Sequence, residues 1–247
     1  MGSSATVVAK HREHLKQLIN RTINKQGPNC DLNFIDVSTV MDMSRLFARS
    51  RFNGDISSWK VSDECDLRGI FRGSRLEESG KAKPWLDKVY RERVENSKNA
   101  DGVMVARNRA HLKALIDSMV WLEGDRCDLN GIDISRVTNM NYLFEFSLFD
   151  GDISKWNVSH VTEMDYMFAN SWFNGDISNW DVSNVMRMGR MFIRSYFEGD
   201  IDRWNVSSEA DTFEIFRQSM LEKKGKLPKW YNGPVYENPP GVIFSWP

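Results

Sequence analysis

The chain lacks long hydrophobic runs, a surplus of one charge and a cysteine-rich composition. Since no run approaches 18 apolar residues and no charged segment followed by an apolar one opens the chain, we expect neither a transmembrane helix nor a signal peptide. The 33 Lys and Arg residues nearly balance the 34 Asp and Glu residues, and the net charge of -1 gives no field that would attract nucleic acid. We therefore expect a globular chain of one or two domains, with no nucleic-acid partner and no membrane insertion.

Cysteine is scarce and odd in number, with Cys30, Cys65 and Cys127 at no metal-binding spacing. A disulfide framework is therefore not expected, and the thiols are interpreted as reduced and mostly buried. Cys30 and Cys127 both precede the tripeptide Asp-Leu-Asn, and this duplication favours a structural role over that of a nucleophile.

A repeat of 24 residues dominates the sequence. The stretch FNGDISNWDVSNV, at residues 173–185, follows FDGDISKWNVSHV and precedes FEGDIDRWNVSSE. Phenylalanine recurs at the same interval at positions 144, 168, 192 and 216, and a fainter copy of the pattern occupies the first part of the chain. Self-similarity at this period predicts a solenoid.

A duplication lies over the repeat. The segment that begins HLKQLIN at His14 recurs as HLKALID at His111, 97 residues later, and each copy opens with apolar residues at helical spacing. Such an amphipathic helix is interpreted as a cap that covers the first coil of its module. The similar C-terminal ends of the modules are displaced by 145 residues, which predicts two repeats in module 1 and four in module 2.

The fold class that we predict is α/β, a leucine-rich-repeat solenoid of two tandem modules, each with an N-terminal helical cap. The predicted segments are residues 1–10, an N-terminal stretch that could include a cloning remnant; 11–86, module 1; 87–107, a charged linker that is helical in part; 108–232, module 2; and 233–247, a C-terminal tail.

Within one repeat, the apolar spacing over residues 177–185 matches that of a leucine-rich repeat. The alternation around Trp180 predicts a strand, and the spacing of apolar residues from Met188 to Phe192 predicts a short helical turn. Asn174-Gly175-Asp176 predicts a tight turn in which glycine takes a positive φ.

The stretch MDYMFANSWFNGDISNWDVSNV resembles the BspA-like leucine-rich repeats of bacterial surface proteins. The resemblance covers roughly residues 30–80 and 127–220, but neither the N-terminal helices nor the linker. It implies a non-catalytic protein that binds host or extracellular targets, and many members of that family are expected to be exported or lipid-anchored. This chain departs from them because it shows neither a signal nor a lipobox.

Three features suggest chemistry and are interpreted structurally. His11 and His14 stand three apart in HREH, where a helical zinc motif needs four, so we predict helix packing and no metal. Calcium could bind a ladder of aspartates after glycine, but each turn supplies few oxygens, so turn capping is favoured. Tryptophans at the repeat interval could stack sugars, although their place in the pattern favours the core. The aspartates are Asp55, Asp152, Asp176 and Asp200, and the tryptophans are Trp59, Trp156, Trp180 and Trp204.

Positions that vary within the fixed pattern predict the binding surface. The outward residues on either side of the predicted strand should line a concave face. They are Ser58, Lys60, Asp63, Lys155, Asn157, His160, Asn179, Asp181, Asn184, Arg203, Asn205 and Ser208.

The resulting functional prediction is a binding protein without enzymatic activity or cofactor, whose partner is a macromolecule, most plausibly a protein. The chain as it stands predicts a cytoplasmic location, where an inhibitor or immunity-type role fits; removal of a signal would instead indicate a surface adhesin. The alternative of another class is an enzyme with a site at His11, His14, Arg91 and Glu92, which lack the mutual spacing that acid–base catalysis requires.

Overall fold

The computed structural model describes residues 6–235, and the chain divides into two units. Unit 1 comprises the chain up to residue 98 together with residues 113–122, and unit 2 comprises residues 99–112 and the chain from 123 onward. Residues 113–122 belong to the helix that was expected to cap module 2, yet they group with unit 1. Within the described part, no helix is long and apolar enough to cross a membrane.

Regular secondary structure is short. The elements in chain order are β1 (Val7–Val8), α1 (Arg12–Gln26), β2 (Ile35–Asp36), α2 (Arg75–Glu78), α3 (Ala82–Asn96), β3 (Met104–Val105), α4 (Arg109–Glu123), β4 (Ile132–Asp133) and α5 (Met220–Lys223). Strand β1 pairs in parallel with β2, and β3 pairs in parallel with β4. Helix α1 buries Leu15 and Ile19 in the core of unit 1, together with Ile35 and Val37 of the first repeat.

Successive repeats form coils joined by parallel backbone hydrogen bonds. In unit 2, parallel bridges connect residues 139, 163, 187 and 211, each 24 residues after the last. Between two of these coils, the N–H of Tyr166 donates to the C=O of Gly189 (3.1 Å), and the N–H of Phe168 donates to that of Met191 (2.9 Å). In unit 1 the N–H of Phe47 donates in the same way to the C=O of Ile70 (2.8 Å). We call these hydrogen-bonded segments the ladder.

The helical turn predicted near Met188 is wrong, because consecutive tight turns occupy this segment. The N–H of Met191 donates to the C=O of Met188 (3.2 Å), and Arg190 between them has a left-handed φ of 55°. An α-helix would use its amides internally, four residues back along the chain. Here the N–H of Phe192 donates instead to the C=O of Ile215 in the next coil (2.9 Å).

The strand predicted around Trp180 is also absent, since residues 177–185 form turns and the ladder lies at 187–194. Ile177, Trp180 and Val182 are all at least 96% buried. Their apolar alternation therefore reflects burial in the coil interior and not pairing between strands.

Stacked phenylalanine rings fill the interior of unit 2. One column has ring centroids 5.4, 5.5 and 5.7 Å apart, and a second has them 6.1 and 6.3 Å apart, all nearly parallel. Offset stacking at these distances adds to the hydrophobic contribution of each buried ring. The columns are Phe144, Phe168, Phe192 and Phe216, and Phe149, Phe173 and Phe197.

The repeat tryptophans are buried and link adjacent coils. Each is 3–4% exposed, and each indole N–H donates to a backbone carbonyl of the preceding coil. The interpretation as core is thus correct, and the indole nitrogen has the partner that burial requires. The donor–acceptor pairs are Trp59–Leu32 (3.0 Å), Trp156–Leu129 (2.9 Å), Trp180–Ile153 (3.3 Å) and Trp204–Ile177 (3.0 Å).

At Gly151 and Gly175, which precede the turn aspartates Asp152 and Asp176, a close approach between neighbouring backbones requires glycine. The prediction that these glycines take a positive φ is wrong. Gly151 and Gly175 are absent from the residues with left-handed φ. A Cβ at Gly151 would overlap the carbonyl oxygen of Cys127 in the preceding coil, and one at Gly175 would lie 2.9 Å from the carbonyl oxygen of Gly151. Glycine therefore allows neighbouring backbones to touch.

Residues 87–96, within the charged linker predicted to be helical in part, belong to helix α3, which packs into the core of unit 1. The helix buries Val89 and Tyr90, and Arg93 is only 2% exposed. The Arg93 guanidinium donates to the carbonyl oxygens of Cys65 (2.9 Å) and Ala114 (3.2 Å), all within unit 1. Burial lowers the pKa of Arg93 because desolvation disfavours its charged form.

The close approach at Gly151 predicts a selective loss of stability. Gly151→Ala should lower the free energy of unfolding by about 1–3 kcal/mol because the new methyl group forces the coils apart. Gly131→Ala is the matched control, since its Cβ would meet only Met104 Cε, at 3.9 Å. Urea denaturation measures both variants, and equal stability of the two would contradict this account of the glycine.

The tryptophan contacts predict a larger loss. Trp180→Ala should cost about 3–5 kcal/mol of unfolding free energy, because it leaves a cavity and removes the indole hydrogen bond to the Ile153 carbonyl. Trp172→Ala, at a side chain 48% exposed in the same unit, should cost far less. Thermal denaturation followed by circular dichroism compares the two, and a similar shift in Tm would refute the core assignment.

Candidate functional site

The twelve positions predicted to bind a partner lie on the surface of the coils, but beside turns and not beside the ladder. Ten of them are exposed, and Asp63 and His160 are half-buried. The structure keeps the corresponding positions of successive coils near one another, since the coils stack in parallel. Their role in binding stays a prediction.

Several of these side chains stabilise the turns. Asn157 and Asp181 each accept a hydrogen bond from the backbone N–H two residues further on (3.1 and 3.0 Å). The amide of Asn184 donates to the C=O of Ser159 in the preceding coil (2.7 Å). Hydrogen bonds from the Ser183 side chain and backbone lower the pKa of Asp181. This surface therefore contains polar groups that are already partly satisfied within the chain.

A different surface of unit 2 concentrates exposed apolar side chains. Among the described residues of that unit, six of the eight exposed large apolar side chains belong to the ladder segments or to the one or two residues that flank them. Their exposure, at 40–69%, is unusual because soluble proteins seldom expose large apolar side chains in groups. They are Tyr142, Phe146, Leu148, Trp172, Met186 and Phe213. We call these six, with Tyr166, Arg190 and Tyr196, the aromatic face.

Side chains of the aromatic face stack from coil to coil. The Tyr142 and Tyr166 rings are 4.9 Å apart and nearly parallel. The Arg190 guanidinium lies 5.6 Å from the Tyr166 centroid and 5.0 Å from that of Phe213, which continues the stack. The ladder holds these side chains in place, because Tyr142, Tyr166 and Arg190 each donate a backbone N–H to the next coil. The face is thus a pre-organised surface.

Charged side chains in and beside the aromatic face form ion pairs with one another. Arg190 contacts Glu214 (2.7 Å), and Arg187 contacts Asp165 (2.6 Å). Burial tends to raise the pKa of Glu214, but hydrogen bonds from Arg190 and Arg217 outweigh it, so the pKa lies below its usual value. Paired charges leave the exposed aromatic area as the main chemical feature of this surface.

Sequence reasoning did not find the aromatic face because it placed the strand at the wrong segment. The sequence does contain a signal for this face, which is visible when residues that stand 24 positions apart are compared. The column that contains Trp172 reads Leu, Trp, Tyr and Met, whereas the interior column that contains Phe168 is invariant over four repeats. Large apolar residues that vary beside an invariant apolar column indicate an outward surface.

The histidines and cysteines occupy structural positions. His11 caps α1 by accepting the N–H of His14 at its Nδ1 (3.3 Å), and His14 Nδ1 accepts the N–H of Lys10 (3.1 Å). Desolvation raises the pKa of Cys65 to about 12 and that of Cys127 to about 11, so both are thiols near neutral pH. Over residues 6–235, no three His, Cys, Asp or Glu side chains cluster as metal ligands would.

The turn aspartates use their carboxylates on the backbone. Asp55, Asp152 and Asp176 each accept, at Oδ1, the N–H of the serine two residues on (2.8, 2.8 and 2.9 Å). These backbone hydrogen bonds are the largest cause of the lowered pKa of each aspartate. The geometry is that of an Asx turn.

Coils of 24 residues, stacked by a parallel ladder around repeated aromatic columns, define a repeat protein. The chain belongs to the family described as "Mycoplasma protein of unknown function, DUF285", whose model matches residues 14–85 and 115–230. No curated protein and no solved structure matches the chain.

The Asx turns predict a dependence of stability on pH. A carboxyl whose pKa is lowered in the folded state stabilises that state above its unfolded pKa of about 3.9, and the contribution disappears as pH falls through the folded pKa. Asp176→Asn keeps an acceptor oxygen for the Ser178 N–H but cannot titrate. Acid unfolding should therefore be less steep in this variant than in the wild type below about pH 4. Identical acid-unfolding curves would contradict the role given to Asp176.

Proposed function

We propose that this protein is a non-catalytic binding protein with a leucine-rich-repeat solenoid fold of the BspA-like type. The support is the 24-residue coil with one parallel ladder per coil and a regular apolar interior, together with membership of a repeat-containing bacterial family. The left-handed residues within the ladder, such as Tyr166 and Arg190, distinguish it from a plain β-strand.

The partner that we propose is a protein, and the aromatic face is the surface that binds it. The observation that carries this proposal is the concentration of exposed aromatic side chains along and beside the backbone ladder of unit 2. Tyr, Trp and Arg dominate the binding energy of protein interfaces, and all three occur here. Stacked rings such as Trp172 and Tyr196, 4.7 Å apart, lose little side-chain entropy on binding.

The internal ion pairs of the face suit this role. Arg190 and Glu214 already satisfy one another, so an apolar partner surface can cover them at a smaller desolvation cost than isolated charges would impose. The turn-side positions, among them Asp181 and Asn205, are a second and more polar candidate surface for the same function.

An enzymatic role has weaker support. Nδ1 of both His11 and His14 accepts a backbone N–H at the start of α1, and Glu92 lies on the exposed side of α3 near Lys88 (4.0 Å). None of these arrangements pairs a nucleophile with a base. A role as surface adhesin or as cytoplasmic inhibitor would follow from the identity of the protein partner.

Affinity capture with matched variants tests the proposal. Phe146→Asn combined with Trp172→Gln should reduce recovery of the partner at least about tenfold, because two exposed anchors are lost. Asparagine suits position 146 because Asn170 holds the same left-handed place in the next coil. The bait is applied to lysate of the source organism and of its host, and mass spectrometry quantifies what is retained.

The control bait carries Asp181→Ala and Asn205→Ala, on the turn side of the same unit. It should recover the partner as the wild type does. Loss with the control alone would assign binding to the turn side, and equal recovery by all three baits would refute both surfaces. Circular dichroism melts accompany each bait and distinguish loss of folding from loss of binding, since Asp181→Ala also removes the acceptor of the Ser183 N–H.

A further inference from the structure

The ladder segments of unit 1 carry arginine as their only basic residue. Residues 41–51 and 65–75 contain six arginines and no lysine, and all six side chains are exposed. The guanidinium group is planar and always charged, and its donors match the two oxygens of a carboxylate. The six are Arg45, Arg49, Arg51, Arg68, Arg72 and Arg75. We call them the arginine face.

Backbone hydrogen bonds bring these arginines together from two coils. The N–H of Arg45 donates to the C=O of Arg68 (3.0 Å), and the N–H of Arg49 donates to the C=O of Arg72 (2.9 Å). The N–H of Arg75 donates to the C=O of Ser50, the residue before Arg51 (2.9 Å). Neighbouring strands lie about 4.8 Å apart, so the two backbone segments that carry these arginines are adjacent.

Two glycines lie among the arginines and, because they have no side chain, leave space beside them. Gly69 and Gly73 have left-handed φ values of 60° and 66° and occupy, in the second coil, the places of Arg45 and Arg49 in the first. A Cβ at Gly69 would lie 3.6 Å from Cγ of Arg45, and one at Gly73 would lie 3.7 Å from Cγ of Arg49. The aliphatic part of each arginine therefore lies beside a glycine of the next coil.

Most of the arginine face is unpaired within the described chain. Arg68 contacts Asp66 (2.7 Å), and Arg75 lies 3.8 Å from Glu78. The other four, Arg45, Arg49, Arg51 and Arg72, make no side-chain ion pair or hydrogen bond within residues 6–235. Four like charges on two adjacent coils, without ion-pair partners among the described residues, favour the binding of an anionic group.

The duplication shows that the coils do not need arginine at these places. The equivalents of Arg45, Arg49 and Arg51, displaced by 97 residues, are Tyr142, Phe146 and Leu148 of the aromatic face. The same ladder geometry is thus compatible with apolar side chains. The arginines are therefore free to serve recognition, since coil stacking does not depend on them.

We propose that the arginine face binds an acidic polypeptide segment. The planar guanidinium groups can each pair with a carboxylate, while Asp42 and Asp66 beside them are already paired with Arg12 and Arg68. Met41, 55% exposed beside the cluster, offers contact to an apolar residue of such a segment. The site belongs to unit 1 and does not rest on the function proposed for the aromatic face.

Fluorescence anisotropy tests the proposal with a labelled peptide that repeats Glu-Glu-Ser-Leu. The wild-type chain should bind this peptide, with an affinity that falls as salt is added. The combined variant Arg45→Asn, Arg49→Asn and Arg72→Ser should bind at least about tenfold more weakly. Asparagine is chosen at positions 45 and 49 because it tolerates their left-handed φ of 52° and 56°.

The control variant carries Arg21→Gln, Lys25→Gln and Lys88→Gln, which remove the same charge from exposed positions of unit 1 outside the ladder. It should bind the peptide as the wild type does. Absence of binding by the wild type, or equal weakening by both variants, would overturn the proposal. Tighter binding of a single-stranded oligonucleotide of equal charge would assign the face to phosphate and overturn it as well.

The proposals for the aromatic face and for the arginine face can be refuted independently of each other. The variant Phe146→Asn with Trp172→Gln should retain full affinity for the acidic peptide, because its substitutions lie in unit 2. Loss of peptide binding in that variant would place the site on the aromatic face and overturn the assignment to the arginine face.

Discussion

The parallel backbone hydrogen bonds between coils are the constraint on which the rest of the structure depends. An amide that donates its hydrogen bond to the next coil does not donate within a helix of its own coil, as the N–H of Phe192 illustrates. The chain then bends through tight turns, and Tyr166 and Arg190 accept left-handed φ values that cost of order 1 kcal/mol each. The inter-coil bonds on both sides hold those residues in place.

Stacking at a fixed interval separates the side chains into two classes. Inward positions must repeat, because each phenylalanine packs on the equivalent ring of the next coil and each tryptophan donates to a carbonyl of the preceding one. Gly151 is equally restricted, since a methyl group there would overlap the neighbouring backbone. Outward ladder positions meet only solvent and their neighbours in the same column, so their chemistry can change without loss of the coil.

The two units use that freedom differently. In unit 2 the outward columns carry aromatic rings, and arginines such as Arg190 are paired with carboxylates on the same face. In unit 1 the equivalent positions carry arginine, and Arg45 and Arg49 have no carboxylate partner among the described residues. One backbone design thereby presents an apolar surface and a cationic surface, which suit partners of different chemistry.

Repetition in the sequence determined the 24-residue period, the duplication and the buried tryptophans, because an apolar residue required in every coil recurs at a fixed interval. Sequence also located surface positions such as Asp181, but it could not say which side of the coil pairs. The tertiary structure decided that the ladder lies at 187–194 and not at Trp180, since pairing depends on backbone amides that side-chain alternation does not record. It also decided that Arg93, in a highly charged stretch, is buried, because neighbours distant in sequence supply its acceptors.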